Sequence, residues 1–318
     1  MRPSPQGSDA LVCILMASYN GAAYIGAQID SVLQQTFRDF VLYIQDDGSD
    51  DGTWAIIQDY ARKQPERIVA ERNPANSGSA KHNFFQMMLA HREDFVMLCD
   101  QDDVWLPDKV EKTLAAMQKA QAQYGEDVPI LVHTDLTVVD GDLRVLDPSY
   151  RHTVNGNWRR TALHYELAQN TVTGCTAMYN RPLGDLIRRE PDFCVMHDWW
   201  LALTASAFGK IVPLEEATML YRQHGGNEMG AKFAHSPQYL LRRLFALGEY
   251  RNQLQESYRQ AERFCAEFED RLSLAQRQLT AGYAALANKG WLQRRWFQCR
   301  NRTVKYGVIK KLAGFLFG

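Results

Sequence analysis

The chain has 318 residues, of which 46% are hydrophobic and 23% charged, and these values are typical of a globular protein with one large domain or two. Its formal net charge of −1 gives no overall attraction for polyanions, so we expect no nucleic-acid partner. The six cysteines lack the spacing of zinc ligands, which indicates buried thiols in a reducing compartment.

The amino terminus has no apolar core of the kind found in signal peptides. No stretch of the sequence approaches the roughly 20 apolar residues that are needed to cross a bilayer. The sequence therefore predicts a cytoplasmic protein.

Four strand, turn and helix units follow one another between residues 11 and 124. Their apolar strands begin at Leu11, Phe40, Arg67 and Phe95, and each is followed by a polar turn and a stretch with helical spacing. This alternation predicts an α/β fold, with a mostly parallel sheet and helices on both faces. Ligands of such sheets bind outside the carboxyl ends of the strands, where the four polar turns lie.

The fourth turn is the acidic sequence Asp100-Gln101-Asp102-Asp103. Carboxylates at the end of a buried strand are costly unless a cation joins them. A Mg²⁺ or Mn²⁺ ion that also binds a diphosphate would do so. An acidic turn that precedes a helix beginning near Pro107 explains the same residues, and this stretch alone does not separate the two interpretations.

Beyond residue 127 the pattern becomes less regular. We expect strands over 130–135 and 173–179, a long surface loop over 141–160, and short strands over 210–213 and 218–221. A helix follows Arg181 and Pro182, and another opens at Met196 and carries Asp198. The glycines after Arg222 predict a boundary between a catalytic domain of residues 1–227 and a helical region of residues 228–318.

The helical region is strongly basic near its end. From residue 271 onward there is no acidic residue, and the basic residues are Arg271, Arg277, Lys289, Arg294, Arg295, Arg300, Arg302, Lys305, Lys310 and Lys311. Together with Trp291, Trp296 and the apolar residues 312–317, they are compatible with an amphipathic helix on an anionic membrane surface. A packed helical domain with a solvated basic face is the alternative.

Two common nucleotide chemistries are disfavoured. The turn after the first strand is not the GxGxxG of dinucleotide-binding folds, and no Walker sequence is present. What remains is a crevice at the sheet edge. In it, Asp46 could bind a nucleobase or ribose, Asp102 could bind a metal ion with its diphosphate, and Asp198 could abstract a proton.

Several motifs together resemble family 2 glycosyltransferases with the type-A fold. They are Ala17-Ser18-Tyr19-Asn20-Gly21, Gln45-Asp46-Asp47-Gly48-Ser49, Asn76-Ser77-Gly78, Asp100-Gln101-Asp102-Asp103, His197-Asp198-Trp199-Trp200 and Arg222-Gln223-His224. The resemblance spans about residues 11–227. The sequences of the fourth and last motifs are most similar to those of the rhamnosyltransferase-like branch.

The resemblance implies a role for each motif. Residues for nucleotide binding would be Ser18, Tyr19, Asn20, Asp46 and Asn76; for the donor sugar, Asp100 and Asp103; for the metal, Asp102 and His224; for the catalytic base, Asp198; and for the acceptor, Trp199 and Trp200. His197 departs from the acidic residue that the family usually has before its base. Simpler roles remain open for several of these residues: a helix cap for Asp198, a turn residue for His224, and core packing for the two tryptophans.

The implied activity is the inverting, divalent-metal-dependent transfer of rhamnose from a thymidine diphosphate donor. The acceptor would be a saccharide or a lipid-linked saccharide in surface polysaccharide assembly, with the enzyme at the inner face of the membrane. A transferase specific for a uridine diphosphate sugar and a non-catalytic module that binds nucleotide sugars are the alternatives.

Overall fold

Four parallel strands form one half of the central sheet in the computed structural model, which describes residues 11–154, 156–224 and 247–307. They lie in the order β3 (Ile68–Arg72), β2 (Phe40–Asp46), β1 (Val12–Ser18) and β4 (Phe95–Cys99). The helices between and after them are α1 (Ile25–Leu33), α2 (Thr53–Lys63), α3 (Ala80–Ala90) and α4 (Lys109–Tyr124). The predicted α/β fold is confirmed.

The other half of the sheet is mixed. Strand β8 (Ala177–Asn180) is antiparallel to both β4 and β6 (Ile130–Val139), and β6 is parallel to the long strand β9 (Lys210–Arg222). The short strands β5 (Val104–Trp105) and β7 (Val145–Asp147) pair antiparallel with β9 and β6. Parallel pairing therefore dominates only among the first four strands.

The helices of this half are short except for the last. They are α5 (Tyr150–Thr153), α6 (Leu163–Glu166), α7 (Arg181–Gly184) and α8 (His197–Phe208). The predicted strand over 173–179 begins with a 3-10 turn, Gly174–Thr176, and the two strands predicted over 210–213 and 218–221 are one strand, β9. The predicted surface loop over 141–160 contains β7 and α5.

Alternate residues of the central strand enter two hydrophobic cores. Val12, Ile14 and Met16 face the core that includes residues of α1, α2 and α4. Cys13 and Leu15 face the core that includes residues of α3 and α8. Because every residue of β1 is buried, the strand reads as a continuous apolar run, and this explains why the sequence located it well.

Three further helices complete the described chain: α9 (Leu247–Glu267), α10 (Leu274–Ala284) and α11 (Trp291–Asn301). Phe264, Tyr283 and Leu286 belong to the same core as α3 and α8. The predicted helical region is thus present and packs directly on the α/β portion. The predicted boundary near residue 227 and the apolar segment 312–317 lie outside the described residues.

Four of the cysteines are buried, as predicted, but Cys265 is half-buried and Cys299 is exposed. None of the helices in the described ranges is long and apolar enough to cross a membrane.

Candidate functional site

The turn after β1 is held by the turn after β2. The Asn20 and Gly21 amides donate to Ser49 Oγ and Thr53 Oγ1 at 2.9 and 2.8 Å, and Asn20 Oδ1 accepts from the Asp50 amide at 3.0 Å. Asn20 itself has a positive φ of 47°, a conformation that asparagine tolerates better than most residues. The arrangement leaves the Tyr19 side chain exposed at the carboxyl end of the sheet.

Gln101 connects this turn to the acidic turn after β4. The Tyr19 amide donates to Gln101 Oε1 at 3.0 Å, and Gln101 Nε2 donates to the Tyr19 carbonyl at 2.8 Å. A Cβ on Gly21 would lie 2.1 Å from Gln101 Oε1, so a larger residue there would require the Gln101 side chain to move. The first and fourth predicted motifs are therefore in direct contact.

Asp46, at the end of β2, is fully buried. It accepts hydrogen bonds from Ser49, contacts Ser18 Oγ at 3.4 Å and pairs with Arg72 Nε at 3.2 Å. These contacts hold the strand ends together, and nucleotide binding by Ser18 and Asp46 remains a prediction. The neighbouring Asp47 accepts from Asn73 and Ser77 and so shapes the third turn.

Asn76 lies exposed on that third turn. Its Oδ1 accepts from the Gly78 amide at 2.6 Å, and its own backbone amide would lie 2.9 Å from a Cβ on Gly48. Gly48 has a φ of 77°, so both the backbone angle and the close approach require glycine there. Asn76 is thereby placed over the turn that follows Asp46.

Two residues separated by more than a hundred positions meet at the acidic turn. His224 Nε2 lies 2.8 Å from Asp102 Oδ2, and the imidazole stacks on the Tyr24 ring with centroids 4.5 Å apart. Arg222 Nε donates to the Asp102 carbonyl at 2.9 Å. The structure thus brings together the two residues that the resemblance implies for a metal.

The chemistry of this group fits a divalent cation. The Asp102 carboxylate is in direct contact with the His224 imidazole, and the carboxylate oxygens of Asp100 and Asp103 lie within 4.8 Å of each other on the same turn. Oxygen with some nitrogen ligation suits Mn²⁺ or Mg²⁺. Asp103 is fully buried, and its Oδ2 has no hydrogen-bond partner among the described residues. Burial raises the pKa of Asp103 well above its ordinary value, and the carboxylates of Asp102 and Asp100 raise it further. A cation here would offset that accumulation of negative charge.

Lys109 was missed by the sequence reasoning. It is fully buried at the start of α4, donates to Thr218 Oγ1 at 3.3 Å and lies 4.9 Å from the Trp105 ring centroid. Burial lowers its pKa to about 8, an effect that the nearby thiols and Asp103 oppose. A lysine on the apolar face of the predicted helix after the acidic turn was the available signal.

The turn Gly174–Thr176 joins the acidic turn to the first turn of α8. The Gly174 amide donates to Asp198 Oδ2 at 3.1 Å. The thiol of the adjacent Cys175 lies within 4.8 Å of carboxylate oxygens of Asp100 and Asp103. Asp198, predicted as the base, is therefore linked through two consecutive residues to the predicted donor-sugar residues.

The Asp198 carboxyl group lies in an environment that raises its pKa. Its Oδ1 is buried and has no hydrogen-bond partner among the residues described, and Asp198 lies in the first turn of α8, two residues after the N-cap residue Met196. Burial raises the pKa of Asp198 to about 6, although the amides of Trp199 and Gly174 and the Asn170 side chain favour the charged form. A carboxylate with this pKa is an effective base near neutral pH.

His197, which replaces the expected acidic residue, is a packing residue. Its ring is buried and stacks on Phe84 with centroids 4.1 Å apart. Burial lowers its pKa to about 3, with a smaller contribution from Lys81, so the ring is neutral at physiological pH. A Cβ on Gly174 would lie 2.9 Å from His197 Nε2, so the position of the histidine ring leaves little room for a side chain at residue 174.

The two tryptophans after Asp198 have different environments. Trp200 is 1% exposed and packs against Phe264 and Phe268 of the carboxyl-terminal helices. The expected acceptor contact of Trp200 is therefore wrong for this conformation, because its ring is covered by the core. Trp199 is partly exposed and donates from Nε1 to the Glu166 carbonyl at 2.7 Å, and its acceptor contact remains a prediction.

A separate groove lies on the carboxyl-terminal helices. It has a volume of about 720 Å³ and is lined by residues of α9, α10 and the following turn, including Glu256, Arg259 and Glu262. None of the predicted site residues lines it, so we assign the candidate site to the sheet edge.

Comparison with known proteins identifies the family of this chain. The family described as "Glycosyl transferase family 2" matches residues 13–182. The dTDP-rhamnosyl transferase RfbG of Shigella flexneri is 26% identical over 237 residues, which are 70% of this chain and 76% of that protein.

Two solved structures share the fold at low sequence identity. Residues 1–349 of S. aureus TarS, in complex with UDP-GlcNAc, superpose with a TM-score of 0.56 at 16% identity, covering 92% of this chain and 88% of that one. The mannosyltransferase PcManGT of Pyrobaculum calidifontis, in complex with GDP-Man and Mn²⁺, has a TM-score of 0.51 at 14% identity, with 96% and 83% covered. At these identities the likeness shows a common fold.

Proposed function

This chain belongs to glycosyl transferase family 2, and we propose that it transfers a sugar from a nucleoside diphosphate to an acceptor hydroxyl with inversion at the anomeric carbon. The observation that carries the proposal is the turn Gly174–Thr176. Its first residue contacts the Asp198 carboxylate and its second lies beside Asp100 and Asp103. These contacts support a mechanism in which Asp198 accepts a proton close to the residues implied for the donor sugar.

Asp198 acts as the general base in this proposal. Its Oδ1, which has no hydrogen-bond partner in the described part of the chain, takes the proton of the acceptor hydroxyl as that oxygen attacks the anomeric carbon. Gly174 keeps the other carboxylate oxygen in place through its amide. One displacement from the face opposite the diphosphate inverts the anomeric centre and needs no covalent nucleophile.

Asp102 and His224 would hold a divalent cation. A Mg²⁺ or Mn²⁺ ion held there would neutralise the charge that develops on the leaving diphosphate. The 2.8 Å contact between the two side chains and the buried acidic group beside them support this assignment. The Mn²⁺ in the complex of PcManGT, which has the same fold, is in keeping with it.

The remaining polar residues would bind the nucleotide and the donor sugar. Tyr19 is exposed at the sheet edge, and Asn20 and Asn76 lie on the turns after β1 and β3, both of which contact the turn after β2. Ser18 and Asp46 would complete the base site. Asp100, on the turn next to Gly174 and Cys175, would face the donor sugar, whereas the fully buried Asp103 has no surface for a direct contact with it.

The donor in our proposal is a thymidine diphosphate deoxyhexose, with rhamnose as the sugar. Two observations support this choice. The chain is similar to a dTDP-rhamnosyl transferase over 70% of its length, and two of its motifs have rhamnosyltransferase-like sequences. A uridine donor is the alternative, because uracil and thymine present the same hydrogen-bonding edge and differ by one methyl group. A module that binds such donors without catalysis is the second alternative.

A panel of nucleotide sugars tests the donor assignment. We expect thymidine diphosphate rhamnose with Mn²⁺ or Mg²⁺ to bind in calorimetry and to release thymidine diphosphate slowly when water replaces the acceptor. The matched uridine and guanosine donors serve as comparisons. Binding of a uridine donor alone would remove the rhamnose assignment, and binding without any release of nucleoside diphosphate would favour the non-catalytic module.

We further propose that the protein associates with the inner face of a membrane, where a lipid-linked acceptor in polysaccharide assembly would be presented. Helix α11 exposes Leu292 and Trp296 by 74% and 63%, and Trp291 by 44%. The surrounding chain contains ten basic and no acidic residues from Arg271 onward. Aromatic rings at the interface and basic residues near an anionic surface, each worth about 1 kcal/mol, favour peripheral binding.

Vesicle sedimentation tests this surface. We expect the full chain to sediment with anionic vesicles at low salt and to be released at high salt, because salt screens the attraction. The double variant Leu292→Ala, Trp296→Ala should partition at least about tenfold more weakly, since it removes two exposed apolar side chains. Tyr124→Ala, which changes an exposed aromatic on α4, is the matched control.

Point variants are preferable to truncation here, because Tyr283 and Leu286 lie in the core that the helices share with the α/β portion. Equal sedimentation of wild type and double variant, or sedimentation that salt does not change, would count against a membrane role for α11.

A further inference from the structure

Glu166 is a buried carboxyl group that the proposed mechanism does not use. It ends the short helix α6 and has no exposed surface. Thr171 donates to its carboxyl group twice, from the side-chain hydroxyl and from the backbone amide, the latter at 3.3 Å. These two hydrogen bonds close residues 166–171 into a compact loop.

This loop and the segment after it both interact with Asp198. The Gly174 amide donates to Asp198 Oδ2 at 3.1 Å, and the Asn170 side chain favours the charged form of Asp198. Trp199, the next residue along α8, donates from its indole to the Glu166 carbonyl at 2.7 Å. Glu166 is therefore connected to the proposed base from both sides, through the loop and through α8.

We propose that Glu166 is a positioning residue for Asp198: by holding Thr171 it fixes the segment from Asn170 to Gly174, whose amide groups orient the Asp198 carboxylate. The inference rests on the proposed function, since it takes Asp198 to be the base. Glu166 itself contacts no predicted donor or metal residue in the described contacts, so its effect would pass through Asp198.

The protonation state of Glu166 gives this role a measurable signature. Burial raises the pKa of Glu166 to about 8; the charge of Asp198 on α8 raises it as well, while Thr171 and Arg160 favour the charged form. At neutral pH the group is therefore uncharged and adds no negative charge beside the base. Above about pH 8 it ionises and adds a second negative charge near Asp198.

Turnover should consequently depend on pH in two limbs. It rises as Asp198 loses its proton near pH 6 and falls as Glu166 loses its own near pH 8. Stability should also respond. Because the folded-state pKa of Glu166 lies above its ordinary value of 4.5, its contribution to stability is present at low pH and is lost as the pH rises towards 8.

The experiment compares Glu166→Gln, Glu166→Ala and Thr171→Val with wild type from about pH 5 to about pH 9.5. Glutamine is uncharged and keeps the shape, so we expect kcat at pH 7 within about threefold of wild type and no alkaline limb. Alanine should lower kcat at pH 7 by about 10-fold to 100-fold with little change in donor KM, because a displaced base slows the chemical step. Thr171→Val should also lower kcat at pH 7 with little change in donor KM.

Thermal unfolding provides the second readout. We expect the fall in melting temperature between about pH 5 and about pH 8 to be smaller in Glu166→Gln than in wild type. Glu126→Gln, which changes an exposed glutamate, is the matched control and should match wild type in both measurements. If Glu166→Ala does not fold, the profile of Glu166→Gln decides.

An alkaline limb that persists in Glu166→Gln, or wild-type kcat in a folded Glu166→Ala, would overturn the positioning role. Asp198→Asn, measured in parallel, separates this outcome from failure of the proposed function. If Asp198→Asn is inactive while the Glu166 variants behave as wild type, only the positioning role fails. If Asp198→Asn is fully active, the assignment of the base fails and the positioning role fails with it.

Discussion

Replacement of Asp198 by asparagine is expected to lower kcat by about 10²-fold to 10⁴-fold, the usual contribution of a general base. Asparagine keeps the size of the side chain, and its carbonyl oxygen can still accept from the Gly174 amide, which lies 3.1 Å from Asp198 Oδ2. It cannot take a proton from an acceptor hydroxyl. Donor affinity should therefore remain near the wild-type value while turnover is lost.

The pH dependence of the wild type adds a check on the same residue. Because burial raises the pKa of Asp198 to about 6, the active, charged form is lost as the pH falls through 6, and kcat should fall with it. Steady-state transfer rates and donor calorimetry on both proteins measure the two effects. Asp192→Asn, an exposed aspartate in the same segment, is the matched control and should be neutral.

Full transfer activity in Asp198→Asn would require a different base. Asp103 would be examined first, because it lies beside the turn that holds Asp198 and its Oδ2 has no hydrogen-bond partner among the described residues.

Replacement of Asp102 by alanine should abolish metal-supported donor binding, with a loss of affinity of at least about 100-fold, since even residues behind the ligands of a metal affect its binding by about 10-fold to 100-fold. The variant removes the oxygen that lies 2.8 Å from His224 Nε2. Arg222 contacts the carbonyl of Asp102, not its side chain, so the turn should keep its backbone path.

Calorimetric titration of donor in the presence of Mn²⁺, and again with a chelator, measures this effect. Wild type should lose affinity in the chelator, whereas Asp102→Ala should be weak in both conditions. Asp59→Ala, on the surface of α2, is the matched control. Donor affinity that is the same in wild type with and without chelator would contradict the metal assignment, even if Asp102→Ala bound poorly for another reason.

Much of the fold was predictable from local sequence. The apolar runs of β1 and β4 are continuous because every residue of these strands is buried, and burial on both faces leaves no polar alternation to confuse the pattern. The polar turns that follow them had to meet at one edge, because parallel strands joined by helices all point the same way. The convergence of Tyr19, Asp46 and Asp102 on that edge was predictable for this reason.

The second half of the sheet was not predictable in the same way. Strand β8 has four residues and follows a 3-10 turn, and its antiparallel place between β4 and β6 depends on pairing with segments far away in the chain. Such pairing is decided by which edge remains open once the earlier strands have assembled. Local spacing contains little information about that choice.

The sequence by itself therefore determined which residues end the buried strands, and hence the acidic turn and the family motifs. Only the tertiary structure decided which neighbours those residues have. It buried Trp200 against Phe264 and left Trp199 partly exposed. It also brought His224 into contact with Asp102, and Glu166 into contact with Trp199, the neighbour of Asp198. The physical reason is that burial and charge environment arise from contacts between distant segments, which set the pKa of a carboxyl group and the exposure of a ring.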